Sequence, residues 1–272
     1  MTDLYAVIGN PIAHSKSPQI HTAFALQTGQ DMRYERILGD LEEFEDDVGE
    51  FVAGGGRGLN VTVPFKERAF RLAGTLSDRA HAAGAVNTLV VRDDGLYGDN
   101  TDGVGLVRDL GCNHLFGFSG ARVLLLGAGG AVRGVLRPLL GENPLQLVVA
   151  NRTASKALAL AEAASSYGPV RGCGLDELGG QQFDLIINGT AAGLKARVPE
   201  IPDDCLADGG WTYDMLYASQ PTAFVEWGRA HGALRALDGL GMLVEQAAES
   251  FRLWRGVQPD TASVIDMLRN AA

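Results

Sequence analysis

The sequence is poor in cysteine, in long apolar runs and in basic residues. It has 3 cysteines in 272 residues, and an odd number of widely spaced thiols predicts neither a disulfide framework nor a zinc site. No stretch approaches the roughly 18 apolar residues of a membrane span. Lys and Arg number 23 against 33 Asp and Glu, a net charge of −10. A nucleic-acid partner is not expected, because phosphate binding relies on a basic surface.

The remaining composition is that of a globular protein with an ample core. Hydrophobic residues make up 46% of the chain and charged residues 21%, which is ordinary for this class. The N-terminus lacks a basic segment followed by a long apolar one, and unpaired cysteines fit a reducing compartment. We therefore expect a cytoplasmic protein without a membrane partner. The length allows one large domain or two.

Short apolar segments alternate with helical patterns along the chain. The segment "LYAVIGNP" predicts a strand, and the helix after it has Ser17 as its predicted N-cap and Pro18 in its first turn. Segments 241–256 and 261–272 predict two terminal helices. Alternation of strands and helices predicts an α/β protein with mainly parallel sheets. The other predicted strands include "MRYERILG", "GLNVTVPF", "ARVLLLG", "LQLVVANRT", "FDLIING" and "WTYDMLY".

A glycine-rich turn follows the apolar strand in "ARVLLLGAGGAVRG". Gly127, Gly129 and Gly130 stand between this strand and a helix. Backbone N–H groups and the helix dipole would there meet a pyrophosphate. Val132 occupies the third glycine position of the strict dinucleotide motif, and a tight structural turn is the alternative interpretation.

The end of the next strand distinguishes between two nicotinamide dinucleotides. An NAD site usually has an acid there, which holds the ribose 2′-hydroxyl. This chain has Asn151, Arg152 and Thr153, with Lys156 one turn later. Two cations without a carboxylate suit a 2′-phosphate, so the sequence favours NADP(H). A solvated helix start is the alternative interpretation.

Motifs throughout the chain resemble those of shikimate dehydrogenases, in the order and spacing of that family. The resemblance implies reversible reduction of 3-dehydroshikimate to shikimate with NADPH, on the chorismate route to aromatic amino acids. The motifs are "HSKSP", "GGGRGLNVTVPFKE", "AGAVNTLV", "GDNTDG", "GAGGAVRG", "NRTASK", "DMLY" and "DGLGMLVEQAAESFRLW".

The resemblance also implies two α/β domains. A substrate domain with a mainly parallel sheet would comprise residues 1–102 and 240–272, so that the C-terminal helices return to it. A Rossmann-like NADP-binding domain would comprise residues 103–239. The family includes monomers and dimers, which leaves a homodimer open.

Lys66 and Asp102 match the family's catalytic pair. A carbonyl that accepts hydride becomes an alkoxide, which a nearby ammonium would stabilise and protonate. A surface salt bridge is the alternative interpretation. Ser15 and Ser17 lie at a predicted helix start, where hydroxyls and the helix dipole would hold the substrate carboxylate. The substrate-binding residues implied are Ser15, Ser17, Asn60, Thr62, Asn87, Asp102, Tyr217 and Gln246.

The family match extends to the cofactor side. Gly189 and Ala192 depart from the frequent "NATSSG", and "ASQPTAF" after Tyr217 lacks the frequent Thr-Pro. The cofactor-binding residues implied are Gly127, Ala128, Gly129, Gly130, Ala131, Asn151, Arg152, Thr153, Lys156, Asp78, Thr190, Met215, Gly239 and Met242.

Three other functions have distinct sequence signatures. An NAD-preferring quinate/shikimate dehydrogenase would carry an acid near Asn151. A non-catalytic NADPH-binding sensor would have lost Lys66 or Asp102. A metal enzyme is not expected, because His14 and His21 are seven residues apart with no carboxylate at ligand spacing.

Overall fold

The chain folds into two compact units, each built on a six-stranded sheet. The structure, a computed structural model, describes residues 2–190 and 197–270. The first unit comprises Met1–Gly105 with Leu243–Ala272, and the second comprises Leu106–Met242. Both boundaries between the units lie a few residues later in the chain than the domain boundaries that the family resemblance implies.

The sheet of the first unit is parallel except at one strand. Its strands are β1 (Asp3–Gly9), β2 (Met32–Leu38), β3 (Gly56–Val61), β4 (Thr75–Leu76), β5 (Thr88–Arg92) and β6 (Gly95–Asp99). Their order is β2-β1-β3-β5-β6-β4. Only β5 runs antiparallel, pairing with β3 and β6, because the two-residue turn at 93–94 makes β5 and β6 a hairpin. The mainly parallel sheet is therefore confirmed.

Five helices follow these strands in the chain. The predicted N-cap of the first of them is wrong. Lys16 is the capping residue and Ser17 the first helical one, because Ser15 Oγ already accepts the Ser17 N–H at 3.3 Å. The helices are α1 (Ser17–Thr28), α2 (Phe44–Ala53), α3 (Lys66–Leu72), α4 (Asp78–Ala83) and α5 (Asp102–Arg108).

The second unit is a fully parallel sheet with helices after most strands. The strand order is β12-β11-β10-β7-β8-β9. Val123 and Leu125 pack into one apolar cluster and Leu124 and Leu126 into another, which explains the uninterrupted apolar run. The elements are β7 (Arg122–Leu126), α6 (Gly130–Gly141), β8 (Gln146–Asn151), α7 (Ala154–Ala164), β9 (Val170–Gly174), β10 (Phe183–Asn188), β11 (Leu206–Asp214), α8 (Ala223–Ala230) and β12 (Arg235–Asp238).

The chain ends with α9 (Leu240–Arg255) and α10 (Ala262–Asn270). One face of α9 is an apolar stripe, since Val244, Ala247 and Phe251 have no exposed surface. Trp254 Nε1 donates to the Leu89 carbonyl at 2.9 Å, which fastens α9 to the first unit. No helix in the described parts of the chain is long and apolar enough to cross a membrane.

His21 of α1 is fully buried against α9 and β2. Its ring stacks on Tyr34 at 4.3 Å between centroids, and its Nε2 bonds to Asn60 Oδ1 at 3.1 Å. Burial lowers the pKa of His21 to about 3, with the Asn60 bond acting in the opposite direction. The imidazole is therefore neutral in the folded protein.

This buried histidine predicts a loss of stability in acid. The folded pKa lies below the unfolded value of about 6.5, so protons favour the unfolded chain as the pH falls from 6.5 towards 3. At pH 5 the cost is about 2 kcal/mol. Between pH 7 and pH 5 the free energy of unfolding, measured in urea, should fall for wild type. For His21→Gln we expect this fall to be smaller by about 2 kcal/mol. His14→Gln, at an exposed site, is the control; equal losses in all three proteins would contradict the prediction.

Candidate active site

Lys66 stands at the first position of α3, immediately after the loop that leaves β3. Phe65 before it is buried and stacks on Phe44 at 4.7 Å between centroids. The carbonyl of Lys66 accepts the N–H of Val86 at 2.9 Å. These contacts fix the backbone on both sides of the lysine and leave its side chain 25% exposed.

Lys66 and Asp102 form a close ion pair. Lys66 Nζ donates to Asp102 Oδ2 at 2.6 Å, and the Asp102 side chain is 10% exposed. The other carboxylate oxygen, Oδ1, accepts from Asn87 Nδ2 at 2.8 Å. A charge-assisted bond between partly buried groups is stronger and better oriented than a surface pair. The ammonium is therefore held in one place.

Asn87 connects two predicted site residues, Asp102 and Gln246. Its Nδ2 lies within 3.2 Å of Gln246 Oε1 as well as beside Asp102, and its Oδ1 accepts from the Thr101 N–H at 2.9 Å. Thr101 Oγ1 in turn lies 3.3 Å from Gln246 Oε1. The structure thus brings Lys66, Asp102, Asn87 and Gln246 together at the ends of β3 and β6 and on α9.

Asn60 is placed behind this cluster and is saturated by protein partners. Its Oδ1 accepts from Tyr34 at 2.7 Å and from His21, and its Nδ2 donates to Ser250 Oγ at 3.0 Å and Thr88 Oγ1 at 3.3 Å. An amide with four such partners has little capacity left for a ligand. Asn60 thus orients the site's framework, and its direct bond to substrate stays a prediction.

Ser15, Ser17 and Thr62 are the other predicted substrate residues of the first unit. Ser15 precedes α1 and Ser17 begins it. Thr62 follows β3, is half-buried, and makes no side-chain hydrogen bond to another described residue. Its hydroxyl therefore remains available to a ligand. All three follow the carboxyl ends of the parallel strands β1 and β3, where α/β proteins bind ligands.

Sequence reasoning missed the buried polar support around this cluster. Asp99, which precedes the Asn100–Asp102 turn, accepts from Arg79 Nη2 at 2.6 Å and from the Asn100 N–H at 2.7 Å. Arg79 also pairs with Glu249 of α9 at 3.1 Å. The motif "GDNTDG" signals a polar turn, but nothing local in the sequence pairs Asp99 with Arg79.

The glycine turn of the second unit leaves space and backbone N–H groups at the start of α6. Gly127 has φ +109°, a conformation that favours glycine. A Cβ at Gly129 would meet nothing within 4 Å, so the turn has free space beside it. The first turn of α6 contains no acid and no side-chain cap. Its free N–H groups suit an anion.

Packing explains why the chain departs from the frequent family motif at Gly189. A Cβ at Gly189 would lie 2.6 Å from Val132 Cγ2 and 3.1 Å from Met215 Sδ. Val132 occupies the position of the third motif glycine, and it has no exposed surface. The extra volume of Val132 is therefore accommodated by the missing methyl at Gly189. The other departure, Ala192, lies outside the described residues.

The predicted 2′-phosphate residues lie together after β8. Asn151 ends that strand, and its Nδ2 donates to the Thr153 carbonyl at 3.0 Å. Arg152 and Lys156 are exposed, and neither pairs with an acid among the residues described. Two free cations beside a strand end suit a phosphate. No carboxylate ends β8, which argues against the ribose contact of an NAD site.

A buried carboxylate holds two further loops of the second unit. Asp214 ends β11 and accepts from Asn188 Nδ2 at 3.2 Å, Leu216 N at 3.1 Å and Thr222 Oγ1 at 2.6 Å. Burial raises the pKa of Asp214, and these bonds oppose the rise. Asn188 Oδ1 also accepts from Thr190 Oγ1 at 2.7 Å. Thr190 is thereby connected to the loop after β11.

Gly239 approaches the same loop closely. A Cβ there would lie 2.3 Å from the Met215 carbonyl oxygen, so only glycine fits. Tyr217, two residues on, is half-buried, and burial raises its pKa. Met242 is 8% exposed within an apolar cluster of the second unit. Asp78 is exposed at the start of α4 in the first unit.

The described residues contain no cluster of three His, Cys, Asp or Glu side chains that would hold a metal ion. His14 is exposed. His21 is enclosed by aromatic rings, with its Nε2 bonded to Asn60. The two histidines therefore do not form a pair of ligands.

Known proteins are similar to this chain in both sequence and fold. The family described as "Shikimate dehydrogenase substrate binding domain" matches residues 7–89. "Shikimate / quinate 5-dehydrogenase" matches residues 110–196, and "Shikimate 5'-dehydrogenase C-terminal domain" matches residues 239–269. Together these matches cover most of the chain.

Individual relatives match along the whole length. "Shikimate dehydrogenase (NADP(+))" of Halorhodospira halophila is 57% identical, with 100% of both chains covered. The crystal structure of an Ael1 enzyme from Pseudomonas putida has a TM-score of 0.94 at 47% identity, covering 98% of both chains. Shikimate 5-dehydrogenase from Thermus thermophilus, in complex with NADP(H) and shikimate, has a TM-score of 0.88 at 32% identity, covering 100% of both. The chain belongs to the shikimate dehydrogenase family.

Proposed function

We propose that this chain catalyses the reversible reduction of 3-dehydroshikimate to shikimate with NADPH, in the biosynthesis of chorismate and the aromatic amino acids. The observation that carries the proposal is the Lys66–Asp102 pair at 2.6 Å, fixed by Asn87 within one hydrogen-bonded cluster. A sensor that had lost catalysis would have no reason to keep this pair. Relatives at 57% identity over the full length bear the same activity in their name.

Lys66 acts on the oxygen of the reacting carbonyl. Bound NADPH supplies the hydride, and the carbonyl oxygen gains negative charge as the hydride arrives. The Lys66 ammonium stabilises that charge and donates a proton from Nζ. In the reverse direction the same amine accepts the proton of the shikimate hydroxyl. Asp102 keeps the ammonium oriented and accepts a hydrogen bond from a substrate hydroxyl.

The other substrate contacts follow from the chemistry of shikimate, which carries a carboxylate and three hydroxyls. We assign Ser15 and Ser17 to the carboxylate because they stand at the start of α1, where the helix dipole favours an anion. Thr62, Asn87 and Gln246 offer hydroxyl and amide groups that both donate and accept. Tyr217, in the second unit, is assigned to the substrate through its match to the family motif.

The residues of the second unit fit NADP(H). The open turn at Gly127 and the uncapped start of α6 suit the pyrophosphate. Arg152 and Lys156 would hold the 2′-phosphate, and Asn151 replaces the acid that would exclude it. Thr190, Met215, Gly239 and Met242 are assigned to the nicotinamide end. We accordingly assign residues 1–102 with 240–272 to the substrate and residues 103–239 to NADP(H).

We propose a cytoplasmic location, which three free cysteines support because two of them, Cys173 and Cys205, are buried as thiols. A homodimer would be recognised in light scattering by a mass twice that of the chain. Neither point affects the assignment of the reaction.

One spectrophotometric assay tests the reaction and the cofactor together. Shikimate and quinate are each oxidised with NADP⁺ and with NAD⁺, and the reduced cofactor is followed by its absorbance. We expect shikimate with NADP⁺ to be the best pair, with kcat/KM at least tenfold above that with NAD⁺, a difference of about 1.4 kcal/mol. Equal efficiency with both cofactors, or preference for quinate and NAD⁺, would support the NAD-preferring alternative.

A further inference from the structure

Arg36 of β2 clamps the residue that precedes α1. Its Nε and Nη2 both donate to the carbonyl oxygen of Ser15, at 3.1 and 2.6 Å. Two donors from one planar guanidinium fix both the position and the orientation of that carbonyl. The cation therefore lies beside one of the two serines assigned to the substrate carboxylate.

The side chain of Arg36 lies on the face of the sheet that carries the site. Side chains two residues apart on a strand share a face, and Tyr34 on the same strand reaches Asn60. The carbonyl oxygen and Oγ of one serine are at most about 4 to 5 Å apart. The guanidinium is therefore within about 7 Å of the Ser15 hydroxyl.

The positive charge at this point has no partner in the part of the chain described. Neither Arg36 nor Lys16 forms an ion pair there, although the whole chain has a net charge of −10. Lys16 caps α1, and the first turn of α1 contains no acid. Helix starts normally favour acids or hydroxyl caps. Cations at such a start cost stability until an anion arrives.

We propose that Arg36 makes the enzyme select substrates that carry a carboxylate, by supplying the charge that the two serine hydroxyls lack. This inference rests on the proposed function, in which Ser15 and Ser17 bind the shikimate carboxylate. Hydroxyls bond to a carboxylate and, more weakly, to the carbonyl of a neutral ester. A net positive charge close by increases the discrimination between the two, because it attracts only the anion.

The expected size follows from the distance. A carboxylate bonded to the Ser15 hydroxyl would lie about 7 to 10 Å from this charge, which changes affinity about two- to threefold in water and about fifteen- to fiftyfold at the effective dielectric constant of a protein surface. Arg36 is exposed and Ser15 is half-buried, so the effect lies between these limits. We expect a charge effect of about tenfold on KM, with little effect on kcat, because the Lys66–Asp102 pair is untouched.

The experiment compares three variants of the full chain with shikimate and with its uncharged methyl ester. Arg36→Gln removes the charge and keeps an amide donor for the Ser15 carbonyl, whereas Arg36→Lys keeps the charge. Arg33→Gln is the matched control, since it removes one charge from the same strand on the other face. The KM of shikimate and the inhibition constant of the ester are measured at low and high salt.

Support would be a tenfold rise in the shikimate KM for Arg36→Gln, with weaker salt dependence than in wild type. In Arg36→Gln the inhibition constant of the methyl ester should stay within about twofold of the wild-type value. Arg36→Lys and Arg33→Gln should resemble wild type in both constants. The proposal is overturned if Arg36→Gln leaves the KM of shikimate within twofold of the wild-type value. It is also overturned if the variant raises the KM of shikimate and the inhibition constant of the ester by the same factor. Failure of the proposed function would look different, because wild type would then not oxidise shikimate with NADP⁺.

Discussion

Lys66→Ala is expected to lower kcat for shikimate oxidation by about a thousandfold, while the KM of shikimate changes by less than about threefold. The ammonium interacts most strongly with charge that develops on the reacting oxygen, so its loss affects the transition state more than the ground state. Steady-state kinetics with saturating NADP⁺ measure both constants. Affinity for shikimate is checked independently by calorimetry.

The matched control for this variant is Arg71→Ala on the same helix. Arg71 is exposed near the end of α3, so its removal changes net charge equally without touching the pair. Wild-type kcat is expected for the control. If Lys66→Ala kept its kcat and lost only affinity for shikimate, Lys66 would be a binding residue and the acid–base role would be wrong.

Arg152→Ala is expected to lower kcat/KM for NADPH about 10- to 100-fold and to leave kcat/KM for NADH unchanged. A charge-assisted bond to a phosphate contributes about 1.5 to 3 kcal/mol. NADH has no 2′-phosphate, so the variant loses no such bond with it. Adding Lys156→Ala should reduce the NADPH preference further. The ratio of the two kcat/KM values is the measurement, since a general loss of folding or activity cancels in it.

Arg229→Ala provides the control for the cofactor experiment. Arg229 lies on α8 in the same unit and pairs at the surface with Glu226 at 2.8 Å. A surface pair of this kind contributes little to stability, so both cofactors should behave as in wild type. A fall with NADPH and NADH alike in Arg152→Ala would show that the arginine shapes the loop and does not read the phosphate.

The two units differ in how far local sequence predicts their sites. The turn at Gly127 and the cations at Arg152 and Lys156 are continuous with one strand–turn–helix unit, so pattern alone indicates an anion site. The first unit's cluster joins β3, β6 and α9, and Asn87 and Gln246 are 159 residues apart. No local pattern brings such residues together; their prediction came from resemblance to a family.

Neighbouring elements decide two details that residue type alone leaves open. Ser17 has the chemistry of an N-cap, yet it is the first helical residue and Lys16 is the capping residue, because the preceding loop folds Ser15 Oγ onto the Ser17 N–H. Asn60 has the chemistry of a ligand group, yet Tyr34, His21 and Ser250 use its capacity. In both cases a residue type indicates what a side chain can bond, and packing decides which partner is present.

By itself the sequence determined the α/β class, the position of the glycine turn and the preference for NADP(H), since each depends on residues that are close in the chain. Only the tertiary structure decided that Lys66 Nζ and Asp102 Oδ2 meet at 2.6 Å with Asn87 on the far oxygen. It also decided that the side chain of Val132 occupies the space that a Cβ at Gly189 would need, and that Arg36 lies beside Ser15. The physical reason is that such contacts depend on strand order and on close packing, which periodicity does not encode.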